Sequence, residues 1–447
     1  MKFTRQQWQR IFYDWANSGY GILVVTAVLP VYFKAVTDHA GVSAANSTAL
    51  WGYANSFGTL VISLLAPLLG ALADYPYAKK RWLNLFTWLG IILTIGLALV
   101  PTKYWQLLLI VYIGSIIGYS GGNLFYDSFL TDVADNRQMD RVSSTGYGMG
   151  YLGGVVVFII FLVAELSKGF SGLLSSYGVA RFSFILAAVW WIIFAWPLLK
   201  NGHQRYSVSS VANPFVDSLR RLRRTMHHIN QYKQLTWFLV AYFFYIDGVD
   251  TIFTMATVIG KDLGIQTTML MVVLLVVQLI AVPFSILYGW LANRFSTRRI
   301  IMLGIIVYFF ICLYALWLET LTDFWILAIL VGTSQGGLQA LSRSYFGRLV
   351  PKNASSEFFG FYNILGKLGP FIVGVVTQWT GKSTVGAASL SVLFALGLVM
   401  FIFALAIKDK NKKGHDREIP NHDLLKLLAN VKDTLTNTSR CISFSFK

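Results

Sequence analysis

The sequence predicts an all-α membrane protein: twelve transmembrane helices in two pseudo-symmetric halves of six. Three observations carry that prediction. Of 447 residues, 55% are hydrophobic and only 13% are charged, against about 25% charged in soluble domains. The apolar residues gather in long runs. A basic stretch near the middle divides those runs evenly, with matching segments on either side. A mean hydropathy of +0.59 excludes a soluble globular chain and a disordered one alike.

A spanning helix takes roughly 20 apolar residues. Runs bounded by charge and turn residues lie near 13–34, 51–73, 82–100, 105–127, 145–164, 181–199, 235–259, 268–292, 300–318, 323–343, 358–380 and 386–407. They are helices rather than barrel strands, because they are apolar all round instead of alternating over about ten residues. The first run does not read as a cleaved leader, since Asp14 and Asn17 stand at its start and no small-residue cleavage site follows.

Loop charges set the expected orientation. With both termini cytosolic, 30 of the 37 Lys and Arg residues fall on the cytosolic side and six outside, with Lys367 left within a span. Basic residues are retained on the cytosolic side, so the expectation is a multi-pass protein of the inner (cell) membrane. This sidedness accounts for the net charge of +17 without a nucleic-acid partner. Cys312 and Cys441 are the only cysteines, too few for a disulfide framework or a thiolate metal site. No phosphate loop, zinc motif or nucleophile elbow occurs. No enzyme activity, nucleotide, cofactor or metal is therefore expected.

The expected organisation is a six-helix half over 1–200, a basic linker over 201–234, a second half over 235–407 and a cytosolic tail over 408–447. In the linker, Phe215, Leu219, Leu222, Met226 and Ile229 recur at spacings of three or four beside Arg220, Arg221, Arg223 and Arg224. That pattern fits an amphipathic helix on the anionic leaflet, with a surface linker helix as the simpler reading. The tail holds a weak helix near 421–435.

The halves repeat. Gly70-Ala-Leu-Ala-Asp74 before a basic cluster matches Gly289-Trp-Leu-Ala-Asn293 before another, at an offset of 219. Tyr126-Asp127-Ser128-Phe129 matches Ser342-Arg343-Ser344-Tyr345 at 216, and Gly146-Tyr147 matches Gly360-Phe361 at 214. A parallel duplication of this kind is a transporter signature.

The Gly-x-Leu-Ala-Asp loop with its basic cluster resembles the signature of the major facilitator superfamily. Tyr13-Asp14-Trp15-Ala16-Asn17-Ser18 resembles the branch of autophagy-related vacuolar amino-acid effluxers and their bacterial relatives. So do Leu341-Ser342-Arg343-Ser344-Tyr345-Phe346, Pro351, Glu357-Phe358-Phe359-Gly360 and Gly366-Lys367. The resemblance covers about residues 10–407. It implies the major facilitator fold, alternating access, a cavity lined by spans 1, 4, 7 and 10, and efflux of neutral amino acids. It also implies that the loop after span two latches the halves together.

Ionisable groups inside a bilayer cost about 2.5–3.5 kcal/mol each, which makes Asp14, Asp127, Asp247, Asp250, Arg343 and Lys367 candidates. Asp14, Asn17 and Tyr20 are spaced by three, as are Asp247 and Asp250, so each set shares a helix face. They are expected to line the interior and to bind substrate or protons, unless they serve as caps or fixed interhelix bonds. Tyr119, Asn123 and Asp127 are spaced by four, and so are Gln335, Gln339 and Arg343, at equivalent places in the two halves. Asp127 and Arg343 are expected to pair across the cavity mouth as an inner gate. The rival pairing is Arg343 with Glu357. Latch candidates are Gly70, Asp74 and Arg81, and in the second copy Gly289, Asn293 and Arg299. Asn293 in place of Asp predicts a weaker or absent second latch. Lys79, Lys80, Arg81, Arg298 and Arg299 individually read as topology charges.

The expected function is secondary transport of a small solute, with proton coupling through Asp14, Asp247 or Asp250. A lipid or amphiphile exporter of the same fold, or a non-transporting receptor, are the alternatives.

Overall fold

The computed structural model describes residues 2–171, 176–363 and 369–407, and residues 1–407 form one compact unit. Lys367, the tail and its expected helix lie outside the described residues. Among the described residues, every regular element is helical, and eleven helices are long and apolar enough to cross a membrane.

Helix α1 runs over Arg5–His39 and includes π-helical turns at Gly21–Ala27. It is followed by α2 (Ala44–Ala73), α3 (Ala78–Leu99), α4 (Trp105–Ser128), α5 (Met139–Ser171) and α6 (Ser176–Asn201). After the linker come α7 (Lys233–Asp262), α8 (Thr267–Arg294), α9 (Thr297–Tyr314) and α10 (Leu321–Leu349). The eleventh run appears as two pieces, α11a (Ser355–Tyr362) and α11b (Gly369–Thr380). The last is α12 (Ser391–Ala406).

Helix α1 begins at Arg5, not near residue 13. Its start is set by a capping box: Gln7 N donates to Thr4 Oγ1 at 3.2 Å and Thr4 N donates to Gln7 Oε1 at 3.0 Å. The first turns were invisible to hydropathy because their polar side chains face protein rather than lipid. Gln7, Gln9 and Arg10 are all buried. Asp14, expected at the start of the first span, therefore lies in the third turn of the helix and is buried.

Helices α3, α4 and α6 pack together in the first half, and α7, α9, α10 and α12 in the second. The halves meet where α11a crosses α2 and where α5 packs on α8 and α10. The first crossing is close. A Cβ on Gly70 would stand 2.1 Å from Ser356 O, so only glycine lets the two backbones touch. The end of the bundle that carries the turn after α2 and the start of the linker is called the linker face below. The linker is tied to it: Arg205 N and Tyr206 N donate to Asp132 Oδ1 at 2.8 and 3.1 Å, and Val208 N to Asp74 O at 2.9 Å. The linker helix Pro214–His227 follows, with Asn213 as its N-cap.

Candidate functional site

Helix α10 delivers Arg343 into the first half. Its Nη1 lies 3.0 Å from Asp127 Oδ1 on α4, and its Nη2 lies 3.0 Å from Asp14 Oδ2 on α1. Nε donates to Ser143 Oγ on α5 at 3.0 Å and Nη2 to Ser143 O at 3.2 Å. Tyr126 OH donates to Asp14 Oδ2 as well. The guanidinium plane lies over Tyr147, 4.3 Å from its centroid. Both charge and hydrogen-bonding capacity are thus met in a buried place, the condition for a buried ion pair to be tolerated. Gly146 makes the room, since a Cβ there would stand 2.3 Å from Asp14 Oδ2.

One cation faces two carboxylates here, and a second buried cation restores the balance. Arg10 is fully buried, its guanidinium 4.4 Å from the Tyr126 centroid. Asp14, Asp127 and Arg343 are within Coulombic range of it. Arg10 was not among the sequence candidates, because it counted as a terminal topology charge. The signal available was its place one turn before Asp14, on the same helix face.

Deeper in the bundle the polar stripes continue. Asn17 Nδ2 donates to Asn123 Oδ1 at 2.6 Å. Gln339 Nε2 donates to Asp250 Oδ1 at 3.2 Å, and Gln339 Oε1 accepts from Tyr151 OH at 3.3 Å. Gln335, one turn away, is buried and its Oε1 has no hydrogen-bond partner among the described residues. Tyr20 is instead a packing residue, stacked on Tyr119 at 4.6 Å with its OH 2.8 Å from Ser115 Oγ. Asp247 and Asp250 were expected to act alike, but the structure separates them. The Gly369 amide donates to Asp247 Oδ2 at 2.6 Å, a hydrogen bond that ties α7 to α11b. Asp250 is exposed.

Two further clusters join the halves at the linker face. Asp74, at the C-terminus of α2, accepts from Ser356 N at 2.9 Å and Glu357 N at 3.1 Å, and so caps α11a across the halves. Arg221 of the linker helix reaches Glu357 Oε2 at 2.8 Å and Asp74 Oδ2 at 3.5 Å. Thr225 Oγ1 donates to Glu357 Oε1 at 2.7 Å. Glu357 thus belongs to Arg221 rather than to Arg343. Burial pushes the Asp74 carboxyl up to about 6, against the opposing pull of Lys79, the two amides and Arg221. Lys79, read as a topology charge, is fully buried: its Nζ lies 2.6 Å from Asp132 Oδ2 and 3.0 Å from Ser355 Oγ.

A second charged contact joins the halves where Asn293 predicted a weaker or absent latch. Asn293 is exposed and its side-chain amide donates to Gly289 O of its own helix at 2.9 Å. The carboxylate comes from the opposite side of the contact, from Asp140 at the start of α5. Arg348 Nη2 meets Asp140 Oδ1 at 2.8 Å, Thr297 Oγ1 donates to Oδ2 at 2.6 Å, and Ser344 Oγ donates to Oδ1. Gly289 does serve close approach, with a Cβ there 2.6 Å from Ser144 Cβ. Arg81 and Arg299 are exposed.

The sequence profile described as "Vacuole effluxer Atg22 like" matches residues 4–414. The chain belongs to this family. A protein of Bacillus subtilis strain 168, described as an uncharacterized MFS-type transporter, YxiO, is 47% identical over 407 residues, covering 90% of this chain and 95% of that one. Autophagy-related protein 22-1 of Penicillium rubens is 28% identical, over 62% of this chain and 50% of that one. The chain therefore matches about half the length of that fungal relative.

Among solved structures, the E. coli fucose:proton symporter FucP superposes with a TM-score of 0.67 at 15% identity, covering 90% of this chain and 98% of that one. A bacterial homologue of ferroportin, in an outward-facing state, superposes at 0.64 with 10% identity, covering 90% and 99%. At such identities the likeness establishes the fold: the twelve-helix major facilitator architecture. Family and fold together make this Atg22-like protein a multi-pass membrane transporter of the facilitator superfamily, not an enzyme.

Proposed function

We propose that this transporter moves a small solute by alternating access, with Arg343, Asp14 and Asp127 as its inner gate. Neutral amino acids, in the efflux direction, are the solute class to test first. One observation carries the reading. Arg343 ties α10 to two carboxylates of the other half near the linker face, while Asp250, bonded to Gln339, remains exposed. Closure on one side of a still accessible polar layer is the arrangement that alternating access requires. With both termini cytosolic in the cell membrane, this is an outward-open conformation. Asp74 and Asp140 act as the supporting latches.

The polar layer supports a small solute over an amphiphile. Asp250 and Gln335 Oε1 are acceptors suited to an ammonium group. The description of the family as effluxers supports the direction. Proton coupling through Asp14, Asp247 or Asp250 belongs to the same proposal, and Asp14 is one of the two carboxylates holding Arg343. Asp247 accepts from the Gly369 amide.

The test is counterflow of labelled neutral amino acids in proteoliposomes, with and without a pH gradient, beside a thermal-shift screen of the same ligands. Flux that vanishes in Arg343→Met supports the gate. Failure of every neutral amino acid to exchange or to stabilise the protein removes that substrate class. Flux indifferent to the pH gradient removes proton coupling.

A further inference from the structure

The linker helix Pro214–His227 has three distinct sides. One side packs on the bundle: Ser218 is buried, Tyr75 OH donates to Asp217 Oδ2 at 2.7 Å, and Arg221 and Thr225 hold Glu357. The next carries Phe215, Leu219, Leu222 and Met226 at spacings of four, three and four. Phe215, Leu219 and Met226 are each about half exposed, at 52%, 46% and 55%. Beyond that stripe lie Arg220, Arg223 and Arg224, all exposed. The helix touches the bundle at Ala71 and Asp74, where α2 ends. It therefore sits at the depth where spanning helices leave the hydrocarbon.

We propose that this helix is a lipid-anchored brace on the inter-half latch: its apolar stripe enters the bilayer interface and Arg220, Arg223 and Arg224 bind anionic headgroups. An apolar stripe flanked by arginine at the headgroup level is the signature of an interfacial helix, and each basic residue near an anionic surface strengthens partitioning about fivefold. The fourth arginine, Arg221, points the other way. It bridges Asp74 of the first half and Glu357 of the second. Whatever seats the helix therefore also seats the latch. Anionic lipid stabilises the conformation closed at the linker face, and its loss releases Arg221 and favours opening. The coupling does not depend on which solute is carried.

The test uses the full chain in nanodiscs, with Cys441→Ser so that Cys312, which is buried, is the only native thiol. A spin label at Leu219→Cys reports depth in the membrane. In a separate variant, labels at Arg81→Cys and Arg299→Cys, on opposite halves at the linker face, report closure by distance. Raising phosphatidylglycerol from none to about a third of the lipid should move the Leu219 label into the bilayer interface. It should also shift the pair towards its short distance, and added salt should reverse both changes. The combined variant Arg220→Gln, Arg223→Gln and Arg224→Gln keeps Arg221 and should lose the lipid dependence while melting at an unchanged temperature in detergent. A Leu219 label that stays aqueous in both lipid mixtures would make the helix a plain linker and overturn the proposal. So would a lipid-dependent distance shift that survives in the triple variant.

Discussion

Arg343 Nη2 and Asp14 Oδ2 lie 3.0 Å apart although 329 residues separate them. The contact joins the first helix of one half to the fourth helix of the other. Asp127 meets the same guanidinium, so one cation of the second half is shared by two carboxylates of the first.

Removing that cation should be far costlier than removing either anion. Arg343→Met leaves the buried Asp14 and the half-buried Asp127 beside each other with Arg10 as the nearby cation. Breaking a buried pair from one side costs about 3–5 kcal/mol, so the variant should melt well below the wild type and lose flux. Asp127→Asn keeps the Asp14 contact and should be milder on both counts. Thermal unfolding in detergent and counterflow measure the two effects. Equal melting temperatures for Arg343→Met and the wild type would show that the cluster contributes nothing to the resting state. A charge swap of Asp127 and Arg343 should not restore flux, since it would place an aspartate against Asp14 and an arginine near Arg10.

Arg10 poses a contest between two opposing effects. Its three guanidinium nitrogens are buried without hydrogen-bond partners among the described residues, each a cost of about 1–3 kcal/mol. Against that stand the cation–π contact with Tyr126, worth about 2 kcal/mol when desolvated, and attraction to Asp14 and Asp127. Without Arg10 the cluster would carry two negative charges against one positive. Arg10→Met should therefore lower the melting temperature, and Arg10→Lys, which keeps the charge but not the stacked plane, should fall between. A Met variant more stable than the wild type would mean that the unpaired nitrogens dominate.

Glycine at the crossing of α2 and α11a permits a specific comparison. Gly70→Ala would press a methyl carbon onto Ser356 O at 2.1 Å. Neither partner is a flexible side chain, so the helices must part. The variant should shift labels at Arg81→Cys and Arg299→Cys towards longer distances and weaken the capping of α11a by Asp74. Gly52→Ala, at a position with nothing within 4 Å, should leave the distances unchanged and serves as the control on the same helix.

The architecture was legible in the sequence because spans, loop charges and repeat offsets each average over many residues. Helix α10 shows this: Gln335, Gln339 and Arg343 stand on one face, as their spacing of four implies. What hydropathy could not deliver was the identity of partners. Arg10 and Lys79 look like topology charges because a one-dimensional profile cannot tell a lysine in water from one buried against Asp132. Asp140 escaped notice for a related reason. The repeat directed attention to Asn293, whereas the second latch takes its carboxylate from the other side of the contact. Asp247 and Asp250 share a helix face, but only the neighbouring α11b decides that one of them holds a backbone amide.

The Asp74 latch should make closure pH-dependent, and the sign follows from its environment. In the closed arrangement Asp74 is buried and its carboxyl is raised to about 6, with burial the largest cause and Lys79, the Ser356 and Glu357 amides and Arg221 opposing it. When the halves part, the carboxyl is rehydrated and returns towards its ordinary value near 3.8. The closed state therefore binds the proton more tightly. A group with a raised pKa in one state favours that state fully below the lower pKa, and the advantage disappears as pH rises through the higher one. Closure should strengthen as pH falls from about 7 towards 4, through the window set by those two values. The distance between labels at Arg81→Cys and Arg299→Cys, followed over that range in lipid of fixed composition, measures it. Asp74→Asn keeps two acceptor lone pairs for the amides of α11a but cannot titrate, so it should remove this component of the pH response. An identical response in wild type and Asp74→Asn would assign the titration to another group and dismiss Asp74 as its source.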